Sequence, residues 1–277
     1  MLVVTVTYRT GETLRPFLDS VRTASVRPLE VVVVDNASGD LTVERALTDA
    51  AGARLIELPD NRGYGSGIAA GVESSQPSDY VLVANPDVVF TPGAIDVLVD
   101  AAEADPAIGA IGPRIDNPDG TVYPSARKLP SIGAGIGHAL LGSVWRSNPW
   151  TREYLAEGKA SAAGRDAGWL SGACVLVRRR AYDQVGGFDP KFFMYFEDVD
   201  LGARLADAGW RNRYEPAAVI THTGAHSTSK VGGAMAAVHH DSAYLYLASR
   251  YDAWYQAPVR VLLRVGLSAR KRLVTRP

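Results

Sequence analysis

The chain has 277 residues, 47% of them hydrophobic and 21% charged, the balance of a globular protein with one sizeable core, in one large domain or one with a small appendage. A formal net charge of −1 argues against a general nucleic-acid binder, and a single cysteine excludes an intrachain disulfide and fits a reducing compartment. No run approaches the roughly 18 apolar residues a membrane span needs, and the opening MLVVTVTYRT enters a strand pattern without a basic leader, so a cytoplasmic location is expected.

Leu2–Tyr8 is short, β-rich and nearly all apolar, as in a strand covered on both faces. Glu12–Ala24 has helical spacing, Glu30–Asp35 reads as a second buried strand, Leu41–Ala51 as a helix and Ala53–Leu58 as a third strand. Gly63–Ser75 reads as a helix, Tyr80–Ala84 as a fourth strand and Gly93–Ala104 as a helix. This alternation predicts an α/β fold with a mainly parallel sheet flanked by helices, whose ligands sit beyond the carboxyl ends of the strands. The strand ends to inspect are therefore Thr7-Tyr8, Asp35-Asn36 and Asn85-Pro86-Asp87. Asp35, after four valines, is an acceptor for a base or ribose, or else a turn former. Asp87 is placed to ligate a cation carrying a diphosphate, or again to close a turn. Asn61–Gly67 is a glycine-rich helix entry, with backbone amides able to approach phosphate and Arg62 able to neutralise it.

Ile108–Arg114 continues the apolar pattern, and Thr121–Arg127 (TVYPSAR) is strand-like. From Pro130 to Gly164 the chain is Gly- and Ser-rich and irregular, with Trp145 and Trp150 inside it. Trp169–Val177 resumes as one buried strand, with Cys174 a core filler and Trp169 either a sugar-stacking ring or a core aromatic. It feeds Gly186–Gly209, where an aromatic run (Phe192, Phe193, Tyr195, Phe196) leads into Glu197, Asp198 and Asp200 at the start of a helix. At 100° per residue, Glu197, Asp200, Arg204 and Asp207 share a polar arc, whereas Asp198 falls among Leu201, Leu205, Val199 and Gly202. A carboxylate on the core face is either a first-turn helix acid or a general base whose pKa burial raises.

His222 closes the strand-like AAVITH and has the chemistry of a divalent-metal ligand or of a structural histidine. His226 is a weaker candidate, and His239-His240 carries no assigned role. No acidic residue follows Asp252, while Arg260, Arg264, Arg270, Lys271, Arg272 and Arg276 do. Interleaved with Val259, Leu262, Leu263 and Leu267, they make a basic amphipathic tail, which either lies on anionic lipid or docks on the body.

Read together, Val3–Tyr8, VVVVDNASGD, NRGYGSG, ANPDV, LSGACVLVRR, GGFD and FMYFEDVDLGARLADAGW resemble, in order, the inverting family-two glycosyltransferases of GT-A fold. The NPD and FEDVDL forms look like the rhamnosyltransferase branch. DGTVYPSAR, NPW and GWLSGACVLVRR are similar to the actinobacterial cell-wall linkage-unit enzymes, which move L-rhamnose from dTDP-L-rhamnose to N-acetylglucosaminyl diphosphoryl polyprenol. The resemblance implies a catalytic unit over 1–225 and a C-terminal helical extension over 226–277. It implies Asp198 as general base, and Asp87 and His222 as ligands of Mg2+ or Mn2+. Thr5, Thr7, Tyr8, Asp35, Arg62, Gly63, Asn85 and Asp87 would hold the nucleotide sugar, and Trp169, Ser171, Gly172 and Glu197 the acceptor. Asn85 departs from the family's D-x-D motif, putting a neutral group at its first position. The implied partners are the dTDP-rhamnose donor, a polyprenyl-diphosphate-linked acceptor and the inner membrane face, touched peripherally. The rivals are a UDP-hexose transferase, a nucleotidyltransferase lacking its usual basic loop after the first strand, and a binding protein with a dead site.

Overall fold

The computed structural model describes residues 1–130, 163–224 and 232–274. Most of the irregular Pro130–Gly164 stretch, with Trp145 and Trp150, and also His226 therefore lie outside the described residues.

The apolar runs become the central sheet. Strands β1 (Leu2–Thr7), β2 (Glu30–Asp35), β3 (Arg54–Glu57) and β4 (Tyr80–Ala84) pair in parallel in the order β3-β2-β1-β4. The sheet then continues through β11 (Cys174–Arg178), β6 (Ile108–Asp116), β12 (Arg211–His222) and β5 (Val88–Phe90). β11 runs antiparallel to both β4 and β6, and β12 runs parallel to β6, so the sheet is mixed. Short β7 (Val122–Tyr123) pairs with β6, and β9 (Arg165–Ala167) with β12. A separate ribbon joins β8 (Ala126–Arg127) to β10 (Trp169–Leu170).

Side-chain alternation along β1 divides the core. Val3 joins Val33, Leu82 and the buried face of α1 (Leu14–Ala24) and α4 (Ala94–Ala104), while Leu2, Val4 and Val6 join Ile68, Leu201 and Leu205 on the other side. The i, i+3, i+4, i+7 set Leu14, Phe17, Leu18 and Val21 is fully covered, which is why α1 forms there. α2 (Thr42–Ala51) stops at Gly52, whose φ of +64 makes a left-handed cap. α3 (Tyr64–Glu73) lies tightly on β1, since a Cβ on Gly71 would stand 2.6 Å from Val4 Cγ1. After α5 (Arg179–Gln184) come α6 (Glu197–Asp207), α7 (Gly232–Arg250) and α8 (Ala257–Val274).

Three expectations change. The predicted strand Trp169–Val177 is two strands, β10 and β11, separated by a turn at Ser171–Ala173 closed by Cys174 N–H donating to the Ser171 carbonyl at 3.2 Å. TVYPSAR is likewise two short strands, interrupted at Pro124, which has no ladder N–H to donate. The polar arc of the helix over Glu197–Asp207 is only partly solvated: Glu197 and Asp200 are buried, Arg204 is half-buried and Asp207 exposed, while Asp198, off that arc, is half-buried. A helical wheel assumes one covered face. Here Phe192, Val199, Ala203 and Tyr246 of α7 form a second apolar cluster behind α6, and Asp200 survives burial by pairing with Arg204 at 2.7 Å.

Candidate active site

The helix bearing Asp198 begins at an unusual corner. Tyr195 and Phe196 both have φ of +66°, a left-handed conformation costing roughly 1–3 kcal/mol for a non-glycine residue. Surrounding contacts hold it. Tyr64 N–H donates to the Phe193 carbonyl at 2.9 Å, Ser242 Oγ–H to the Met194 carbonyl at 2.8 Å, and the Tyr195 and Phe196 rings each lie 5.4 Å from His239. From this corner Asp198 turns toward Gly172: Oδ2 accepts the Gly172 N–H at 2.9 Å and Oδ1 the Val199 N–H at 2.8 Å. Burial pushes the Asp198 carboxyl above the usual carboxylate range, while the two amide bonds oppose that rise.

Glu197 is the neighbouring acid in different surroundings. Its Oε2 is buried without a hydrogen-bond partner among the described residues, and burial followed by the Asp198 charge raises its pKa well above normal. Two amides favour the ionised form of Asp198, and the unpartnered Oε2 disfavours that of Glu197, so Asp198 is the better anion of the pair.

Tyr64, which the sequence reading did not single out, completes this corner. Its hydroxyl donates to the Gly172 carbonyl at 2.9 Å, and burial in this acidic corner drives its pKa well up, so it stays a neutral donor. The contact spans 108 positions, and no local signal in NRGYGSG reports it. Gly63 is required beside it: φ is +89°, and a Cβ would fall 2.1 Å from the Phe193 carbonyl oxygen. The glycines of this motif thus serve close packing in the structure, with Gly65 on Phe188 and Gly67 on Val6.

The Ser171–Ala173 turn links the base to a second cluster. Ala173 accepts the Asn85 N–H at 2.9 Å, and Asn85 stands with Asp87 and His222 at the ends of β4 and β12. His222 Nε2 lies 3.0 Å from Asp87 Oδ1 and 3.2 Å from the Asn85 amide nitrogen. The Asp87 carbonyl accepts the Thr223 N–H and hydroxyl, both at 3.1 Å, fixing the pair across 136 residues. Asp87 also borders a cavity of about 210 Å³ with Thr13, Pro16, Val89 and Thr223. Among the described residues no set of three or more His, Cys, Asp or Glu gathers as a metal cage. One carboxylate and one imidazole do fit an open divalent site whose remaining positions go to water and diphosphate oxygens.

The other predicted residues divide. Thr5 and Thr7 are fully buried, at 0% exposure, so neither has surface to offer a nucleotide. The Thr5 hydroxyl has no partner among the described residues, and Thr7 donates to Asp35 at 3.1 Å. These positions sit within β1, where neighbouring strands and helices cover both faces. Asp35 is buried too, accepting from Thr7, from the Ser38 hydroxyl and from Ser38 N–H at 2.8 Å, which is turn chemistry. Beside it, Asn36 donates to the Gly63 carbonyl at 3.0 Å. Tyr8 is exposed at the strand end with the Arg9 guanidinium 5.2 Å from its ring. Arg62 is exposed and, among the described residues, pairs only with Asp60, a surface contact that a ligand can replace. On the far side, Trp169 donates to the Lys128 carbonyl at 3.0 Å, and the Ser171 N–H to the Ser125 carbonyl at 2.7 Å. Cys174 is buried in the core.

Residues 2–186 match the profile of Glycosyl transferase family 2, and residues 151–259 that of Glycosyl transferase family group 2. The chain is 46% identical, over 99% of its own length and 92% of the relative's, to N-acetylglucosaminyl-diphospho-decaprenol L-rhamnosyltransferase of Mycobacterium tuberculosis. The chain is a family-two glycosyltransferase. Rhamnosyltransferase WbbL of Escherichia coli is a more distant relative of this transferase, 28% identical over 62% of each chain. Among solved structures, a Pyrobaculum calidifontis mannosyltransferase in complex with GDP-Man and Mn2+ superposes at TM-score 0.59 and 18% identity, covering 99% of this chain and 71% of that one. GalNAc-T7 with UDP, GalNAc and Mn2+ also superposes at 0.59, with 13% identity over 80% of this chain and 43% of its own. Both bear out the GT-A architecture of this family-two transferase.

Proposed function

We propose that this chain moves L-rhamnose from dTDP-L-rhamnose to a hydroxyl of a polyprenyl-diphosphate-linked N-acetylglucosamine in cell-wall synthesis, inverting the anomeric centre. The observation that carries the reading is near full-length identity of 46% to an enzyme of that name, in a chain that sets a half-buried, amide-bound carboxylate near a carboxylate–imidazole cluster. Asp198 takes the proton of the acceptor hydroxyl as that oxygen attacks the anomeric carbon, the bond to the dTDP diphosphate breaks, and a β-linked donor yields an α-rhamnoside. The Gly172 and Val199 amides favour the ionised form of Asp198 that this needs, and the raised pKa of Glu197 disfavours a second charge beside it. Base catalysis of this kind contributes about 10²–10⁴ in rate. Asp87 and His222 would hold Mg2+ or Mn2+, with Asn85 alongside. When bound, the ion offsets charge on the departing diphosphate. The exposed Tyr8 ring and Arg62 receive the nucleotide, and Trp169 to Gly172 face the acceptor.

The tail supports a site at the cytoplasmic membrane face. No helix among the described residues is long and apolar enough to cross a membrane. α8 packs on α7 through the less exposed Val259, Leu263 and Leu267, with Lys271 paired to Asp241 at 2.6 Å, and turns exposed Val261, Leu262 and Val265 outward. Trp254, 87% exposed, and Tyr255 precede it. An outward apolar stripe with Arg264 and Arg270 at its borders has the character of an interfacial helix. In this reading residues 226–277 extend the catalytic unit of 1–225 instead of forming a separate module.

The test is transfer of labelled rhamnose from dTDP-rhamnose to farnesyl diphosphoryl N-acetylglucosamine, with and without EDTA. Product that EDTA abolishes, and that Asp198→Asn lowers at least 10²-fold with donor binding retained, is the expected result. Donor binding without product sinks the acceptor assignment, and absence of donor binding sinks the rhamnosyl reading.

A further inference from the structure

The DGTVYPSAR stretch has no part in the reaction as described, yet the fold brings its last residue to the acceptor side. Arg127 and Trp169 are directly opposed partners in the β8–β10 ribbon. The Arg127 guanidinium carbon lies 5.7 Å from the Trp169 ring and 5.7 Å from the Tyr123 ring. Its Nε donates to the Pro124 carbonyl at 2.9 Å. Among the described residues it has no ion pair, and its two terminal nitrogens have no hydrogen-bond partner. Nearby arginines differ: Arg114 is neutralised by Asp116 at 2.7 Å, and Arg211 and Arg213 by Asp166 at 2.9 and 3.6 Å. Arg127 is thus a half-buried cation steadied by two rings and one carbonyl, with its fork unspent.

Its position relative to the base gives the ligand class. Trp169, across from Arg127, is three chain steps from Gly172, whose N–H binds Asp198, a path of at most roughly 11 Å. That is about the span of one sugar ring and the phosphate attached to it. Arg127 is also close enough for its charge to act on the Asp198 carboxylate. An acceptor whose hydroxyl meets Asp198 and whose ring lies along Trp169 brings its anomeric substituent to Arg127.

We propose that Arg127, held between Tyr123 and Trp169, binds the diphosphate of the lipid-linked acceptor and selects phosphorylated acceptors over neutral glycosides. The planar fork suits bidentate phosphate oxygens, and the aromatic walls exclude water from the contact. This rests on the proposed acceptor class but not on the donor. The donor also carries a diphosphate, so the experiment separates the two sources.

Binding of farnesyl diphosphoryl N-acetylglucosamine, and separately of dTDP-rhamnose, is measured by calorimetry for the wild type, Arg127→Gln and Arg127→Lys. The expected result is a 10- to 100-fold loss of lipid affinity in Arg127→Gln, a smaller loss in Arg127→Lys and unchanged donor affinity. In transfer assays, the kcat/KM preference for the diphosphate lipid over dodecyl N-acetylglucosaminide falls by the same factor. Unchanged lipid affinity overturns the proposal. So does a weakened donor, which moves Arg127 to the nucleotide-sugar side, or an equal loss with both acceptors, which makes its effect structural or exerted through Asp198. Lipid binding that depends on Arg127 supports the proposal even where no rhamnose is transferred, so it stands or falls separately from the reaction.

Discussion

Glu197 and Asp198 are adjacent in the chain, yet their oxygens meet different surroundings. Two backbone N–H groups stabilise the Asp198 anion, and Glu197 Oε2 has no partner. A raised folded-state pKa on Glu197 means that the folded chain binds more protons than the unfolded one. This holds from the ordinary carboxylate range up to the raised value. Its linkage stability is therefore complete at the acid end of that window and is lost as pH rises through it. Glu197→Gln, which mimics the protonated form, is expected to flatten the decline of Tm with pH over the window. It also leaves the acid limb of kcat, set by Asp198, in place. A variant whose Tm falls in parallel with the wild type would show that Glu197 is already ionised. Sequence reasoning found both acids and put Glu197 on a polar arc without its burial, because a wheel cannot foresee the second cover supplied by Tyr246.

The elements that matter most are joined by backbone contacts. The α3 entry touches the aromatic run through Tyr64 N–H and Phe193 O, and the Ser171–Ala173 turn touches both α6 and β4. The base is consequently oriented by segments more than 100 residues apart, and the corner at Tyr195-Phe196 stays left-handed only while they hold it. Gly63→Ala adds a Cβ 2.1 Å from the Phe193 oxygen at a φ that disfavours side chains. We expect a loss of about 2–4 kcal/mol in stability, read by chemical denaturation, and a kcat reduced more than donor affinity. A neutral substitution would mean that the two segments separate freely. The Gly-rich motif was legible as a helix entry, but its role in packing was not, since the partner backbone is distant in sequence.

Across the whole molecule, α7 and α8 connect the catalytic corner to the outer surface. Tyr246 and His239 of α7 pack on Phe196, and α8 lies on α7 with its apolar stripe outward. Leu262→Glu with Val265→Glu should lower sedimentation with phosphatidylglycerol vesicles by roughly tenfold or more and leave transfer to a soluble short-chain acceptor unchanged. Binding by the wild type should weaken with salt, as the arginine borders are screened. Equal sedimentation of variant and wild type would return α8 to a plain docked helix.

Local pattern was enough for the strand and helix alternation, for the polar groups at strand ends and for the family. Burial of short apolar runs and the 3.6-residue period act within single segments, and Asp87, Asp198 and His222 each close or open one. Tertiary structure decided what those groups face. It buried Thr5 and Thr7, divided Trp169–Val177 at the turn that holds Asp198, placed Tyr64 against Gly172 and set Arg127 between two rings. Each of those outcomes depends on a partner brought in from elsewhere in the chain, and hydrogen bonding and packing across such distances leave no periodic trace in sequence.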